Sequence, residues 1–295
     1  MPLDINSLQQ WIGKKAEQTD LVTLAPMKTL AATLDRNESN FGAGSTLPSL
    51  WHWLYFLPTA RQSELAEDGH PTKGGFLPPI PLPRRMWAGS KFQFNHPLLA
   101  GQKVRRLSTI KSLEVKQGRS GELAFVCVQH DIENDSGIAL TEQHDIVYRN
   151  HPADSEKEQS LSAGVPAPEH HSFYREIIPD SILLFRYSAL TFNSHRIHYD
   201  RDYVTCVEGY SGLIVHGPLL ATLLVELLQE NLPHCILVKF EFRAIRPVFE
   251  SYSFTACGQQ TGLTEVDLWI KDHEGYLCMK ASAEIKADKN EGKLL

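Results

Sequence analysis

The sequence predicts an α+β protein in which one unit, a helix laid against an antiparallel meander, is used twice. Three observations carry that expectation. The tetrad Lys91-Phe92-Gln93-Phe94 returns 148 positions later as Lys239-Phe240-Glu241-Phe242, and a proline follows each, Pro97 and Pro247. In both halves an amphipathic stretch with a polar end (24–39 and 180–200) precedes an apolar stretch (47–58 and 213–228). Runs of strand character then follow, at 103–117, 121–132 and 137–149 in the first half and at 235–245, 251–260, 264–273 and 275–286 in the second. Such ordered self-similarity is the mark of a repeated architecture, and a helix against a sheet is the layer that buries both apolar faces.

The elements follow in order. In the first half the apolar stretch LPSLWHWLYFLP is the expected central helix. In the second half Pro218 opens a helix at a first-turn position, where its missing N–H costs nothing. Leu219, Leu220, Leu223, Leu224, Leu227 and Leu228 form its buried stripe, and Asn231-Leu232-Pro233 ends it. Residues 66–90 have no counterpart in the second half and are too dense in proline and glycine for helix or sheet, so they read as an irregular, functional insert. Residues 151–172 are polar, rich in Ser, Pro, Ala and Glu, and read as a linker. The expected division is therefore 1–150 with the insert at 66–90, a linker at 151–172, and 173–295.

Composition excludes several classes of function. The chain has 295 residues, 42% hydrophobic and 22% charged, which suits a folded core and not a disordered or fibrous chain. A net charge of −6 gives no field toward nucleic acid or anionic membranes. Five scattered cysteines, none in a C-x-x-C pair, argue against a disulfide framework or a zinc ribbon and suit a reducing compartment. The start lacks a basic segment ahead of an apolar core, and the most apolar stretch, Pro218 to Leu228, is too short to span a bilayer. The expected location is cytoplasmic, with neither nucleic acid nor membrane as partner.

The densest polar cluster is Asn193-Ser194-His195-Arg196-Ile197-His198-Tyr199-Asp200, followed by His216-Gly217-Pro218. Histidine exchanges protons near neutral pH, and an asparagine amide holds water. The same residues also suit loop capping. A helix opening at Gly217 offers an N–H at its positive end with no Cβ in the way, an oxyanion site in outline; tight entry into a buried helix is the other use of such a glycine. His195 and His198 have H-x-x-H spacing near Asp200, but zinc-binding helices more usually space their histidines by four, and Arg196 between them opposes a cation, so no metal is expected. There is no G-x-S-x-G elbow, no G-x-G-x-x-G and no Walker pattern.

FRYSALTFNSHRIHYD followed by GLIVHGPLLATLL resembles the MaoC-like double-hotdog hydratases and dehydratases, and within them the branch of type 2 hydroxyacyl-thioester dehydratases and mesaconyl-CoA or itaconyl-CoA hydratases. DGHPTKGGFLPPIPLPRRMWAGS and KQGRSGELAFVCVQHDI in the first half point to the same branch, and the resemblance spans about residues 20–287. It implies two tandem hotdog folds, each a long helix wrapped by a curved antiparallel sheet. It implies a hydro-lyase that reversibly hydrates an enoyl-CoA to the 3-hydroxyacyl-CoA, on a short branched dicarboxylic substrate such as mesaconyl- or itaconyl-CoA. The alternatives are dehydration of a hydroxyacyl chain on a carrier protein and non-catalytic binding of an acyl thioester.

The family motif places Asp, then Asn-Pro two positions on, then His five positions after the Asp. His198 falls on the histidine, and Asn193 stands where the aspartate is expected, so proton transfer would rest on His198 while Asn193 orients water. Gly217 matches the glycine that polarises the thioester carbonyl; His195 and His216 support the site. In the first half Asp35-Arg36-Asn37 sits at the motif position but Asn40 replaces the histidine, which implies a chemically silent half. Arg84, Arg85, Arg196 and Arg243 are the candidate grips for a carboxylate or a CoA phosphate, with Trp87 for an acyl or adenine face. No organic cofactor is implied, and assembly through sheet edges stays open.

Overall fold

The computed structural model describes residues 4–36, 40–118, 121–150 and 164–288. Of the expected linker, residues 151–163 lie outside these, as does Asn37 of the first-half motif. The strands are β1 (Lys15–Leu21), β2 (Arg84–Phe94), β3 (Lys103–Gly118), β4 (Gly121–Asn134), β5 (Gly137–Arg149), β6 (Phe173–Ile177), β7 (Cys235–Ala244), β8 (Phe254–Gln260), β9 (Glu265–Lys271) and β10 (Leu277–Ala287). They form one sheet in the order β1-β3-β4-β5-β2-β7-β10-β9-β8-β6, antiparallel throughout. Each half supplies five strands in matching order, and the halves join where β2 pairs with β7.

At that seam the two tetrads meet, with Lys91 opposite Glu241 and Phe92 opposite Phe240. Just beyond the tetrads, where β2 and β7 end, the structural offset is nevertheless 150 positions and not 148. The isolated bridges Thr46↔Leu99 and Ile214↔Phe249 are equivalent, and Pro97 and Pro247 share the same spacing. A two-residue difference leaves every side chain on its own face, because strand side chains alternate with a period of two. Phe92, Phe240 and Phe242 accordingly all point inward and are buried.

Among the described residues four α-helices accompany the sheet: α1 (Ile5–Gln9), α2 (Leu24–Thr33), α3 (Ser181–Leu190) and α4 (Gly217–Asn231). The Asp180 side chain caps α3 by accepting from the Leu183 N–H. Helix α4 carries Pro218 in its first turn, packs against β6 to β9, and is buried along its whole length from Leu219 to Leu228. The first half departs from expectation here. Its apolar stretch forms only the 3₁₀ turn Trp51–Leu54, and no central helix appears. Leu50 and Phe56, on either side, hold left-handed backbones (φ 68° and 55°), which a helix does not tolerate, and Pro48 and Pro58 bracket the stretch. Its buried Trp51, Leu54, Tyr55 and Phe56 fill the volume that a helix would occupy.

The repeat also shows why the first half carries no hydratase motif. Helices α2 and α3 pack together and end alike, on left-handed Asp35 (φ 53°) and left-handed Phe192 (φ 48°). Next come the equivalent bonds Arg36 N–H to Ala31 O and Asn193 N–H to Ser188 O, so Arg36, not Asp35, occupies the place of Asn193. Its guanidinium lies 3.2 Å from Glu226 Oε2 of α4, and the Trp51 indole N–H donates to Glu226 Oε1 at 3.1 Å. Burial raises the Glu226 pKa, and Arg36 opposes that shift. Removing one partner of a buried pair strands the other. Arg36→Ala is therefore expected to cost about 2–4 kcal/mol, read as a lower denaturation midpoint at unchanged denaturant slope.

Candidate active site

The site gathers at the start of α4. His198 ends a 3₁₀ turn, Arg196–His198, and its Nδ1–H donates to the Ile214 carbonyl at 2.7 Å. That bond fixes the tautomer and leaves Nε2 with a free lone pair. The ring is buried and stacks on His216, with centroids 3.7 Å apart and planes at 18°. His216 Nε2 is hydrogen-bonded to Ser188 Oγ of α3 at 2.8 Å, and its Nδ1 is buried without a partner. Gly217 follows as the first residue of α4, where an N–H has no acceptor within the helix. A Cβ at Gly217 would meet nothing within 4 Å. Tight packing therefore does not require this glycine, and the side where a Cβ would stand is open.

Asn193 sits just beyond α3 and accepts the His195 N–H on Oδ1 at 3.0 Å, which leaves its amide N–H₂ as the free pole. His195 lies edge-on to His198, 5.5 Å between centroids. Its other neighbour was not legible in the motif: His70 of the insert, with ring centroids 4.0 Å apart. His70 Nδ1–H donates to Asp68 Oδ2 at 2.9 Å, and Asp68 Oδ1 accepts the His70 N–H. Four imidazoles, His70, His195, His198 and His216, thus form one continuous row from the first half to the helix start. The sequence signal for this was the unmatched insert itself.

The insert is keyed to the second half by its backbone. The Arg196 N–H donates to Asp68 O at 2.9 Å, Arg196 Nη1 to Glu67 O at 3.2 Å, and Ser194 Oγ to Gly69 O at 2.5 Å. Gly69 is left-handed (φ +86°), and a Cβ there would overlap the Ser194 carbonyl. The irregular part of the insert ends earlier than expected, because Arg84 to Ser90 belong to β2.

The candidate substrate contacts separate cleanly. Arg84 is buried and committed to Glu208, bonding its carboxylate and its carbonyl at 2.5 Å and lying over the Tyr210 ring. Arg85 lies close enough that its charge bears on both His70 and His195. Trp87 packs on His144 at 4.0 Å and Trp53 at 5.1 Å and makes no ring contact with the four histidines. Arg196 is held by Asp200 at 2.8 and 3.0 Å and by the insert, so it is a clip and not a free cation. Arg243 is exposed on the outer face of β7, the face opposite buried Phe242, and does not reach the site.

Burial holds the row neutral. It lowers the pKa of His198 to about 4 against the raising effect of its bond to the Ile214 carbonyl, and lowers those of His70, His195 and His216. Asp68 is held below the usual carboxylate range by its bonds from His70, against the opposing effect of burial. Asp68, His70 and His195 each bring a potential ligand atom within 4.8 Å of the others. Asp68 is already bonded to His70, however, and the charges of Lys73 and Arg85 oppose a cation there.

Two outcomes follow from this geometry. Gly69→Ala should undock the insert, costing on the order of 1–3 kcal/mol and most of the activity while far-UV circular dichroism stays native. The unfolded chain protonates histidine near pH 6.5, whereas burial holds folded His198 and His144 to about 4 and His130 to about 3. The stability these groups contribute is complete above about pH 6.5 and is lost as pH falls through that window. Urea midpoints should therefore drop from pH 7.5 to pH 5.

Comparison with known proteins places this geometry among relatives. The model of the family described as hydroxyacyl-thioester dehydratase type 2 matches residues 50–250. The protein named mesaconyl-C(4)-CoA hydratase from Chloroflexus aurantiacus is 45% identical over 282 residues, covering 93% of this chain and 96% of that one. A MaoC-like dehydratase structure from Phytophthora capsici superposes with a TM-score of 0.65 at 14% identity, covering 97% of this chain and all of that one. A Mycobacterium tuberculosis structure described as a double hotdog fold superposes at 0.58 with 12% identity, covering 93% of this chain and 96% of the other. The double hotdog is thus the fold here, in the α+β class expected. Among the described residues no helix is long and apolar enough to cross a membrane.

Proposed function

This chain belongs to the hydroxyacyl-thioester dehydratase type 2 family and is a hydro-lyase of acyl-CoA thioesters, and from that premise we propose that it hydrates a short branched dicarboxylic enoyl-CoA, mesaconyl-CoA first. The substrate class rests on the 45% identical relative and its name. The mechanism rests on one observation, the His198–His216 stack. It holds a neutral imidazole lone pair beside the residue whose successor, Gly217, opens α4 with an N–H that has no acceptor within the helix.

Addition of water to an α,β-unsaturated thioester needs a held water, a base and support for enolate charge on the thioester oxygen. The free Asn193 amide donates to the water oxygen. His198 Nε2 takes one water proton as the oxygen bonds the β-carbon, and the alkene electrons move onto the thioester as an enolate. The Gly217 N–H and the positive end of α4 stabilise that charge. The His198 imidazolium then returns its proton to the α-carbon on the same face, so H and OH are added and the base is regenerated. Asp68 brings the histidine row a carboxylate where Asn193 offers none, and it favours the positive charge that builds on these rings. The first half, 1–150, contributes the insert and not the base, which makes one site per chain; the second half, 173–295, carries the motif. All five cysteines are free, which supports a cytoplasmic location. Self-association through the exposed edges at β1 and β6 completes the reading.

His198→Ala should lower kcat by at least about a hundredfold without unfolding the chain. Asn193→Asp should keep appreciable activity with an altered pH–rate profile, and Asn193→Leu should abolish it. Equal rates for the Leu variant and the wild type would remove the water-holding role. Purified protein assayed against mesaconyl-, itaconyl-, crotonyl- and long-chain enoyl-CoA, and against a hydroxyacyl carrier protein, tests the substrate class; preference for the carrier-bound chain would overturn it.

A further inference from the structure

Resting on that substrate reading, we propose that Arg85 and Lys73, together with the Tyr148 hydroxyl, form the receptor for the free carboxylate of the acyl group. The ladder between β2 and β5 sets Arg85 opposite Tyr148, Trp87 opposite Ile146 and Phe92 opposite Glu142. Tyr148, Ile146, Phe92 and Glu142 are all buried, so Arg85 shares the inner face of the sheet with them. Arg85 is half-buried there and forms no ion pair with any carboxylate among the described residues. The Tyr148 hydroxyl is buried, with the Arg85 guanidinium as its polar neighbour. Lys73, from the insert, lies over the same phenol, 5.8 Å from its centre, and donates to the Leu82 carbonyl.

Half-buried Arg85, from the sheet, and exposed Lys73, from the insert, thus approach the same buried hydroxyl. Burial and the charge of Arg85 disfavour the charge on Lys73, and the acid whose charge reaches Lys73, Asp68, is already bonded to His70. An anion between them would balance the two cations, and a guanidinium beside an ammonium and a phenol matches the two oxygens of a carboxylate. Position decides which anion. The charge of Arg85 is felt at His70 and His195, which continue in ring contact to His198. The phosphates of CoA are separated from the reacting carbons by the whole pantetheine arm. In mesaconyl-C4-CoA, by contrast, the free carboxylate is bonded to the very carbon that water attacks. Its receptor must therefore stand beside the base. A cation there also offsets the repulsion between that carboxylate and an incoming hydroxide, so it acts in the transition state as well as on binding.

The test compares mesaconyl-C4-CoA with 3-methylcrotonyl-CoA, in which a methyl replaces the carboxylate on the same skeleton, and with crotonyl-CoA. In Arg85→Gln the ratio of kcat/KM for the dicarboxylic ester to that for either monoacid ester should fall at least about thirtyfold. Lys73→Met should lower the ratio in the same direction and serves should Arg85→Gln not fold. A ratio left unchanged overturns the proposal, whether both rates fall together, as loss of a CoA-phosphate contact or of packing would give, or neither does. Calorimetric titration with free mesaconate separates this failure from failure of the substrate reading. If the wild type does not hydrate mesaconyl-C4-CoA, binding of mesaconate that vanishes in Arg85→Gln keeps the anion site, and absence of such binding ends it.

Discussion

The pairing of β2 with β7 is the constraint on which the rest of the molecule depends. It turns two five-stranded halves into one continuous sheet and fixes their rotation about the Lys91–Glu241 pair. With that rotation set, the insert that leads into β2 falls across the start of α4, and the Arg196 and Ser194 contacts hold it there. A slip of one residue at the seam would set the inner face of one half against the outer face of the other, so that Phe92 and Phe240 could not both stay in the core. The active-site geometry is therefore a property of strand register before it is a property of any loop.

Within the site the controlling quantity is desolvation. Burial keeps the imidazole row uncharged near neutral pH, so His198 arrives with its lone pair available. In the proposed mechanism the cost of an imidazolium there favours return of its proton to carbon. Asp68 is the counterweight, a carboxylate brought from the first half and bonded to His70 at the far end of the row. On that reading the two halves divide the electrostatic work between them, with proton transfer on one side and fixed charge on the other.

Strands and the central helix of the second half were legible because their signals are local: alternation over seven to sixteen residues, and a leucine stripe opened by Pro218. The His198 and Gly217 neighbourhoods were legible from one continuous motif. The missing first-half helix was not, because an apolar run rich in Trp and Leu reads alike as a helix or as a packed turn until the backbone of Leu50 and Phe56 is seen. Asp68 and His70 escaped for a different reason: their partner, His195, is 125 residues from His70 in sequence and close only in space. Arg196 and Asp200 stand four apart, a spacing that pairs opposite charges. Starting β2 at Arg84 would have set Arg84 and Arg85 on opposite faces.

The plugging of the first half by Arg36, Trp51 and Glu226 bears on how such a molecule diverges. In an assembly of two identical subunits every substitution is copied by symmetry, so a bulky insert that improves one site crowds the other. A single chain carrying both units is free of that coupling. One unit can forfeit its helix and motif loop and be remade as a receptor, while its neighbour keeps the chemistry unchanged. If the receptor lies where we propose, acyl-group selectivity and bond-making occupy separate stretches of sequence and can be altered independently of each other.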